Sequence, residues 1–471
     1  MSSPLSIVKR LFVTPSAKLP RRRKSYRPQV DALEERRLLA VFTVDDSFAA
    51  NNPAAGQYTT IQAAVNAAAP ANDFILVRAG TYNESVSVTK KLTILGPGIP
   101  AIPYVGANPN PNDLSLNPTY AAIVDPTVGG GFTVAASGVT IQGFTIANRD
   151  NGPNTQGIVL ASGNSNKVIS NVIVGNTIGI SLTTEVGGTN TTADKATFIN
   201  SNTLRNNNAP GAASGNAIYS DAGVANTYIT GNRITGHLNA SILLIRSNSA
   251  LFNSQVTVSS NLIGSDVTNE ADSAIILANL QNSSIVGNVM RNIYNNGTGI
   301  ALVGGNSNVQ ILSNNLVNGA FTGINVIYRP DSYPVTTNNT NLLIQGNVVQ
   351  NFGDGGIRLR EGALNNIVRA NVVQYNGFGT SNDGFGSGIT LEGAINNIVE
   401  SNVSYYNDAD GFFADLASTG NTIRNNSALF NGEHDYHDNS VGVLNPLLTA
   451  NTYTNNTGRT QNRPGLIRFF A

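Results

Sequence analysis

LLIQGNVVQN (residues 342–351) combines an apolar–polar alternation, a small residue, an Asn and a second alternation. The same pattern recurs from residue 139 onward, and ten phrases can be aligned on Asn171, Asn202, Asn232, Asn261, Asn288, Asn315, Asn347, Asn371, Asn402 and Asn426. Successive intervals are 24 to 32 residues, shorter than the roughly 40–45 residues of a four-stranded propeller blade. The spacing fits one coil of a β-helix.

A second short strand lies between successive Asn positions. It carries Gly before an apolar–x–apolar triplet, at Gly157, Gly179, Gly299, Gly323, Gly356, Gly388 and Gly411. We expect this Gly to mark a bend. Strand alternation then places one residue of each triplet in the bore and the next in solvent. The repeated Asn is expected in an inward turn, in or near the left-handed region, with its amide bonded to its neighbours in a ladder along the axis.

These patterns predict an all-β fold: a single-stranded right-handed parallel β-helix of about 12 coils over residues 41–440. A short capping helix is expected within residues 57–69, because TIQAAVNAA (residues 60–68) is rich in good helix formers. Residues 1–40 form a separate segment, and residues 441–471 are expected to close the rod and end in a tail. We expect a monomer.

Composition narrows the function. Of the residues, 12% are charged, 47 are Gly and none is Cys, so disulfides, thiolate metal sites and a Cys nucleophile are excluded. Residues 1–40 contain ten Lys/Arg and three Asp/Glu (net +7), whereas residues 41–471 contain 18 and 25 (net −7). A mildly acidic body argues against nucleic acid as a partner, since phosphates require a basic surface.

The amino-terminal segment is basic and has only short apolar stretches, without the roughly 20 apolar residues of a membrane span or the 7–15 of a signal-peptide core. LEERRLLA (residues 33–40) resembles the LE-x-R-x-LL element of exported planctomycete proteins. That resemblance implies that residues 1–40 are an export segment, disordered or removed, and that the protein is extracellular or at the cell surface. The alternative is a solvated basic tail with a short amphipathic helix.

A second resemblance covers TIQAAVNAA (residues 60–68) and FILVRAGTYNESVSVTKKLTILG (residues 74–96). They resemble the entry to β-helices of the pectate-lyase superfamily. The resemblance implies a fold and an extracellular polysaccharide as partner, but the catalytic motif of pectin methylesterases has no match here. Two functions stay open: binding or processing of a polysaccharide, as a lyase, epimerase or hydrolase, or a non-catalytic surface or matrix rod.

Charged residues align across the later coils. Superposing the triplets beginning at Ile357, Ile389 and Phe412 stacks three candidate catalytic residues, Arg360, Glu392 and Asp415, and Asp410 is the fourth. Carboxylates a few ångströms apart serve as acid and base in glycoside hydrolysis, and a lyase would use an Arg base with Ca²⁺.

The same region supplies ligand candidates. Arg358, Tyr375 and Tyr405 are expected to bind substrate, and Asp354, Asp383 and Asp408, each near a Gly, are the candidate Ca²⁺ ligands. The competing interpretation is structural, because opposite charges in neighbouring coils form surface ladders and Asp before Gly is ordinary turn chemistry.

A second candidate cluster lies in GEHDYHD (residues 432–438) and comprises His434, Asp435 and His437. Its position after the last full coil favours a capping role. The alternative is a metal site or a general acid/base. The remaining His, His237, follows Ile234 in a polar turn and is expected to be incidental.

Overall fold

Three parallel sheets run the length of the molecule, and each typical coil contributes one short strand to sheet A, then to sheet B, then to sheet C. This computed structural model describes residues 39–70, 73–98, 114–126, 129–182, 195–246, 253–264, 273–293, 297–378, 385–443 and 448–469. Thirteen strands form sheet C over these ranges, so the rod has about one coil more than the sequence predicts. The prediction of an all-β parallel β-helix is confirmed.

The strands of sheet A are Val41–Val44, Gln57–Tyr58, Phe74–Val77, Thr93–Leu95, Thr140–Gln142, Lys167–Ile169, Thr197–Asn200, Ala225–Thr230, Asn253–Ser259, Leu280–Val286, Ser307–Leu312, Asn339–Thr340, Leu343–Gln345, Ala363–Leu364, Ile367–Arg369, Ile398–Glu400, Thr422–Arg424 and Thr452–Thr454. Those of sheet B are Gly80–Tyr82, Ala122–Val124, Phe144–Ala147, Val172–Val174, Thr203–Arg205, Arg233–Thr235, Leu262–Ile263, Val289–Ile293, Asn315–Gly319, Val348–Phe352, Val372–Gln374, Val403–Tyr405, Ser427–Leu429, Thr457–Gly458 and Arg468–Phe469. Those of sheet C are Val86–Val88, Gly130–Val134, Gln156–Leu160, Ile178–Leu182, Asn216–Ser220, Ala240–Leu244, Ser273–Leu277, Thr298–Leu302, Thr322–Val326, Gly355–Leu359, Ser387–Leu391, Phe412–Ala414 and Tyr436–Asp438.

A helix covers the first coil, as expected. It spans Ile61–Ala67, begins after Thr60, whose hydroxyl accepts from the backbone N–H of Ala63, and buries Ile61 and Val65. The carboxylate of Glu84 accepts from the first two backbone N–H groups of the helix, those of Ile61 and Gln62, at 2.7 and 2.9 Å. Donors that have no partner within the helix are thereby satisfied. Two 3₁₀ turns complete the helical elements of the described residues, Pro53–Ala55 and Leu114–Leu116.

The repeated Asn forms a continuous ladder at the turn between sheets A and B. Each amide donates to the Oδ1 atom of the next Asn along the axis, at 2.9–3.1 Å. The left-handed residue is the one before each ladder Asn, for example Ser201 before Asn202, and not the Asn itself. In the sixth phrase the ladder residue is Asn314 and not Asn315, which begins the following strand. Two adjacent Asn residues made that position ambiguous in the sequence.

The Gly before each triplet has a packing role. Gly356 lies within the strand Gly355–Leu359 and faces the bore. A Cβ atom there would lie 2.1 Å from Cγ1 of Val373 and 2.6 Å from the carbonyl oxygen of Gly388 in the next coil. Side chains of sheet B fill the space that a methyl group would need in this coil. Three coils nearer the amino terminus admit a side chain in the same row, at Ala217, Ser241 and Ala274.

Candidate functional site

The outer face of sheet C carries the candidate residues near its carboxy-terminal end. Register pairs Arg358 with Thr390, Thr390 with Phe413 and Phe413 with His437 in successive coils. Two positions further along, the backbone N–H of Glu392 donates to Leu359 O at 2.8 Å and the strand register continues through this residue. Arg360, Glu392 and Asp415 therefore occupy equivalent positions in consecutive coils, as the sequence alignment predicts.

Arg358 joins two carboxylates inside the wall. Its guanidinium is fully buried and contacts Asp354 in its own coil and Glu392 in the next. Nε of Arg360 lies 2.8 Å from the second oxygen of Glu392, and the ring of Phe385 covers the Arg358 guanidinium at 4.7 Å. Both oxygens of Glu392 are thus held by guanidinium groups. Arg358 has no exposed surface for contact with a ligand.

Asp415 belongs to a turn instead of this ion-pair network. Its Oδ1 atom accepts from the backbone N–H groups of Gly393, Ala417 and Ser418 at 2.9–3.1 Å and from the Ser418 hydroxyl at 2.7 Å. The carboxylate therefore shapes the loop that follows its strand. Its position is stacked on that of Glu392, but its side chain serves the backbone.

An open groove of about 830 Å³ runs beside these positions. Arg360 and Glu392, from two adjacent coils, line this groove. Phe413 and Asn439, from the two coils that follow, and the ring of Phe385 also line it. Apolar rings next to charged groups are a combination that carbohydrate sites use, because sugars present both C–H faces and hydroxyls.

Asp410 and the two His residues of the second candidate cluster come together. Asp410 is fully buried, and its Oδ1 atom accepts from the backbone N–H of His434 at 3.1 Å. Its carboxylate lies 3.5 Å from Nδ1 of His434 and 3.2 Å from Nδ1 of His437. Nε2 of His437 lies 3.0 Å from Oδ1 of Asn439. The Asp410 carboxylate raises the pKa of His437 above its ordinary 6.5, with a further contribution from Asn439, against the opposing effect of burial.

Asp435, the third member of that cluster, lies elsewhere. It ends a second ladder, in which Asn407 donates to Asn431 and the Asn431 amide donates to Oδ1 of Asp435 at 2.9 Å. Its other oxygen accepts from the backbone N–H groups of Arg459 and Thr460 at 2.6 and 3.2 Å. The Asp435 carboxylate therefore ends this ladder, while the two His side chains face Asp410.

The tyrosines of the adjacent turn stack on one another. The rings of Tyr375, Tyr406 and Phe430 lie 5.2 and 5.1 Å apart and nearly parallel, and the guanidinium of Arg459 covers the far face of Phe430 at 4.6 Å. The hydroxyl of Tyr405 lies 3.5 Å from Oγ of Ser427 in the next coil. Because the ring faces lie against one another, this column offers a ligand mainly ring edges.

The candidate Ca²⁺ ligands do not converge within the described residues. Asp354 is paired with Arg358 and also accepts from the Thr322 hydroxyl at 3.1 Å, whereas Asp408 is exposed and about two coils away. Asp383 lies outside the described residues. In the part of the chain that the structure describes, three or more metal-ligating side chains meet at one place, formed by Asp410, Glu433, His434 and His437.

Sequence reasoning separated Asp410 from the His pair and omitted Glu433, Phe385 and Asn439. One signal could have joined them. His434 follows Asp410 by 24 residues, which is also the interval between Asn402 and Asn426. Residues one coil apart in sequence lie beside each other in a solenoid.

No family model and no curated protein matches the chain. Solved structures do. The Dettilon tailspike protein (gp208) superposes with a TM-score of 0.50 at 13% identity, over 78% of this chain and 62% of the tailspike. The A-module of the mannuronan C-5 epimerase AlgE6 from Azotobacter vinelandii gives 0.40 at 13% identity, over 87% and 94%. The DFA-IIIase of Arthrobacter chlorophenolicus A6 without its lid gives 0.47 at 16%, over 81% and 93%. The tailspike likeness supports the right-handed parallel β-helix, and this chain spans less than two thirds of the tailspike's length.

One further finding concerns membranes. Over the described residues no helix has both the length and the apolar character needed to cross a bilayer.

Proposed function

We propose that this chain binds a polysaccharide in the groove beside the last coils of sheet C and acts on it there. One observation carries the proposal: Arg360 and Glu392 line the same groove as Phe413 and Asn439, and the latter two contact His437. A carboxylate, a guanidinium and an apolar ring therefore face one open depression, which suits a glycan. The solved β-helix structures include an epimerase and a DFA-IIIase by name, which is compatible with this use of the scaffold.

The proposed roles follow from the contacts. Glu392 is the acid/base candidate, because its carboxylate lines the groove while Arg358 and Arg360 fix its position. Arg358 is a positioning residue. His437 contacts two residues that line the groove, Phe413 and Asn439, and supports that part of its wall. Asp415 shapes the groove through its turn. The reaction class is a lyase, epimerase or hydrolase reaction.

The alternative is a non-catalytic rod at the cell surface or in a matrix. The observation that favours it is the exposed stack of Tyr375, Tyr406 and Phe430, which extends the wall as a side-chain ladder over three coils. Residues 33–40, through their resemblance to an export element, support an extracellular or surface location for either function. For either function we propose that the protein is a monomer and that nucleic acid is not among its partners.

The test is a screen of acidic and neutral polysaccharides, with and without Ca²⁺, that follows unsaturated uronate, reducing ends and retention on a glycan array. The Glu392→Gln variant should lower turnover by at least about 100-fold, as expected for loss of a general acid or base. Glu400→Gln is the matched control, because Glu400 also pairs with an Arg one coil away, Arg424, but lies on sheet A. Binding without turnover would leave a carbohydrate-recognition rod, and neither binding nor turnover would favour the structural alternative.

A further inference from the structure

Asp410 and the segment from Glu433 to His437 occupy adjacent coils. Asp410 precedes the strand Phe412–Ala414, and the two His residues flank the beginning of the next strand of sheet C, Tyr436–Asp438. Phe412 pairs with Tyr436 in register. The parallel stacking of two coils therefore brings one buried carboxylate under two imidazole rings, whose centroids are 5.0 Å apart.

Three polar atoms at this place are buried and make no regular hydrogen bond with the described residues. They are Oδ2 of Asp410, Nδ1 of His434 and Nδ1 of His437. Oδ2 of Asp410 lies 3.2 Å from Nδ1 of His437, and Oδ1 of the same carboxylate lies 3.5 Å from Nδ1 of His434. Buried polar atoms without partners are uncommon, and an ion is one of the ordinary explanations.

The spacing matches a coordination sphere. Metal–nitrogen and metal–oxygen bonds of about 2.0–2.1 Å in a tetrahedron place ligand atoms roughly 3.3–3.4 Å apart. The two carboxylate–imidazole distances, one from each oxygen of Asp410, lie on either side of that value. Glu433 supplies a fourth donor, and all four donor atoms lie within 4.8 Å of one another.

The surroundings support ligation through Nδ1. A metal-bound His commonly donates its other ring N–H to an oxygen, which fixes the ring and its tautomer. Nε2 of His437 lies 3.0 Å from Oδ1 of Asn439, in position for that bond. On the Asp410 side, the backbone N–H of His434 holds Oδ1 of the carboxylate. The donors are thus oriented before an ion arrives.

We propose that Asp410, His434, His437 and Glu433 bind a divalent transition-metal ion of the Zn²⁺ type. Two imidazoles and two carboxylates suit Zn²⁺ and its neighbours, whereas Ca²⁺ takes six to eight oxygens. An approach to the site is open, because Glu433 and His434 line a depression that continues to Arg459 and Pro464. The guanidinium of Arg459 is stacked on Phe430 and that of Arg463 donates to Ser440 O, so both cations have partners away from the donor atoms.

This ion would join two coils at the end of the rod, and its binding does not depend on any action on a glycan. Titration of the full chain, first stripped with a chelator, with Zn²⁺ should give one equivalent bound, and Co²⁺ should give a visible d–d spectrum of low symmetry. The melting temperature should rise with Zn²⁺ concentration, since the ion binds the folded state. Excess Ca²⁺ should displace neither ion.

Variants locate the site. Asp410→Asn and His437→Ala should weaken Zn²⁺ binding by at least the roughly 10–100-fold that loss of an outer-shell partner costs. Because Asp410 is buried and its variant could fail to fold, Glu433→Gln and His434→Ala are the second pair, on more exposed side chains. Glu392→Gln is the control, and should bind Zn²⁺ like the unsubstituted chain even though it tests the proposed activity.

Two results would overturn the proposal. One is the absence of saturable Zn²⁺ or Co²⁺ binding to the folded chain, which would leave Asp410 paired with the imidazole groups alone. The other is binding that Glu433→Gln and His434→Ala leave unchanged, which would place the ion elsewhere. A variant that loses metal binding but keeps activity on a glycan, or one that loses activity but keeps metal binding, would show that the metal site and the proposed function are independent.

Discussion

Nδ2 of Asn207 lies 3.0 Å from Nε2 of His237, so an imidazole takes the place of an amide in the buried ladder at the turn between sheets B and C. Asn176 donates to Asn207 in the preceding step of that ladder. Because the Asn207 amide is a donor, Nε2 of His237 must be the unprotonated acceptor. The sequence suggested an incidental residue in a polar turn, but His237 is fully buried.

The first prediction concerns acid stability. Burial lowers the pKa of His237 from 6.5 to about 3. The unfolded chain therefore binds a proton at a pH where the folded chain does not, and stability falls as pH drops below 6.5 toward about 3. At pH 5 this one group should cost about 2 kcal/mol relative to neutral pH.

The comparison uses His237→Asn, which restores an amide to the ladder and removes the titrating group. Urea unfolding at pH 7.5 and pH 5 should show a smaller acid-induced loss for this variant than for the unsubstituted chain. Equal losses in the two proteins would mean that His237 is protonated at little cost in the folded state.

The second prediction concerns the main ladder. Oδ1 of Asn347 accepts from both the backbone N–H and the amide of Asn314, at 2.9 and 3.0 Å, and its own amide donates to Ile311 O and Asn371 Oδ1. Asn347→Ala leaves two buried donors without an acceptor, at a cost of about 3–5 kcal/mol in the free energy of unfolding. Chemical denaturation measures it.

Asn164→Ala is the control for that substitution. Asn164 is half-buried and lies outside the ladder, and its side chain accepts one hydrogen bond, from the Ser165 hydroxyl at 3.3 Å. Its loss should change stability by less than about 1 kcal/mol. A ladder variant as mild as this control would show that water replaces the missing amide.

The repeat made the fold predictable, but it did not determine the details of the site. Alternation and the recurring Asn identify a stack of coils built from short strands, because a solenoid needs only nearest-neighbour periodicity. Stacking of Arg360 on Glu392 also follows from alignment of triplets. The burial of Arg358 does not, because it depends on Asp354, Glu392 and the ring of Phe385 all closing around one side chain.

The His cluster was hidden for a different reason. Asp410 and His434 look unrelated in the sequence because 24 residues separate them. They are recognised as neighbours only when that separation is compared with the length of one coil. Two features decide which side chains of His434, Asp435 and His437 face that carboxylate. One is the pleat of the strand, and the other is the hydrogen bond that Asp435 accepts from the Asn431 amide in the ladder. Side-chain direction at the end of a repeat is not encoded in the repeat.

The third prediction concerns the buried guanidinium. Arg358→Met preserves the bulk of the side chain but removes the positive charge that pairs with the Asp354 carboxylate. We expect the free energy of unfolding to fall by about 3–5 kcal/mol. Adding Asp354→Asn to this variant should recover part of it. Arg424→Met is the matched control, because Arg424 pairs with Glu400 at the surface and should contribute less than about 1 kcal/mol. Similar losses for both Arg substitutions would contradict a buried, structural ion pair.

The fourth prediction tests the glycine row with two neighbouring residues of one strand. Gly131 faces the bore, where a Cβ atom would lie 2.4 Å from Cγ2 of Ile146 and 2.7 Å from the carbonyl oxygen of Gly157. Gly130 faces outward, and its nearest neighbour would be Cγ2 of Val159 at 3.3 Å. Neither residue has a positive φ, so Ala is allowed at both by backbone conformation.

Gly131→Ala should therefore lower the free energy of unfolding by about 2–3 kcal/mol or more, because the carbonyl of Gly157 is fixed by the next coil and cannot move aside. Gly130→Ala should stay within about 1 kcal/mol, since the reduced entropy of its unfolded chain offsets a mild contact. Urea denaturation of the two variants measures the difference. If both substitutions were equally mild, the coils could separate locally to admit a methyl group; if both were equally severe, the outer face of sheet C at this coil would be as tightly packed as the bore.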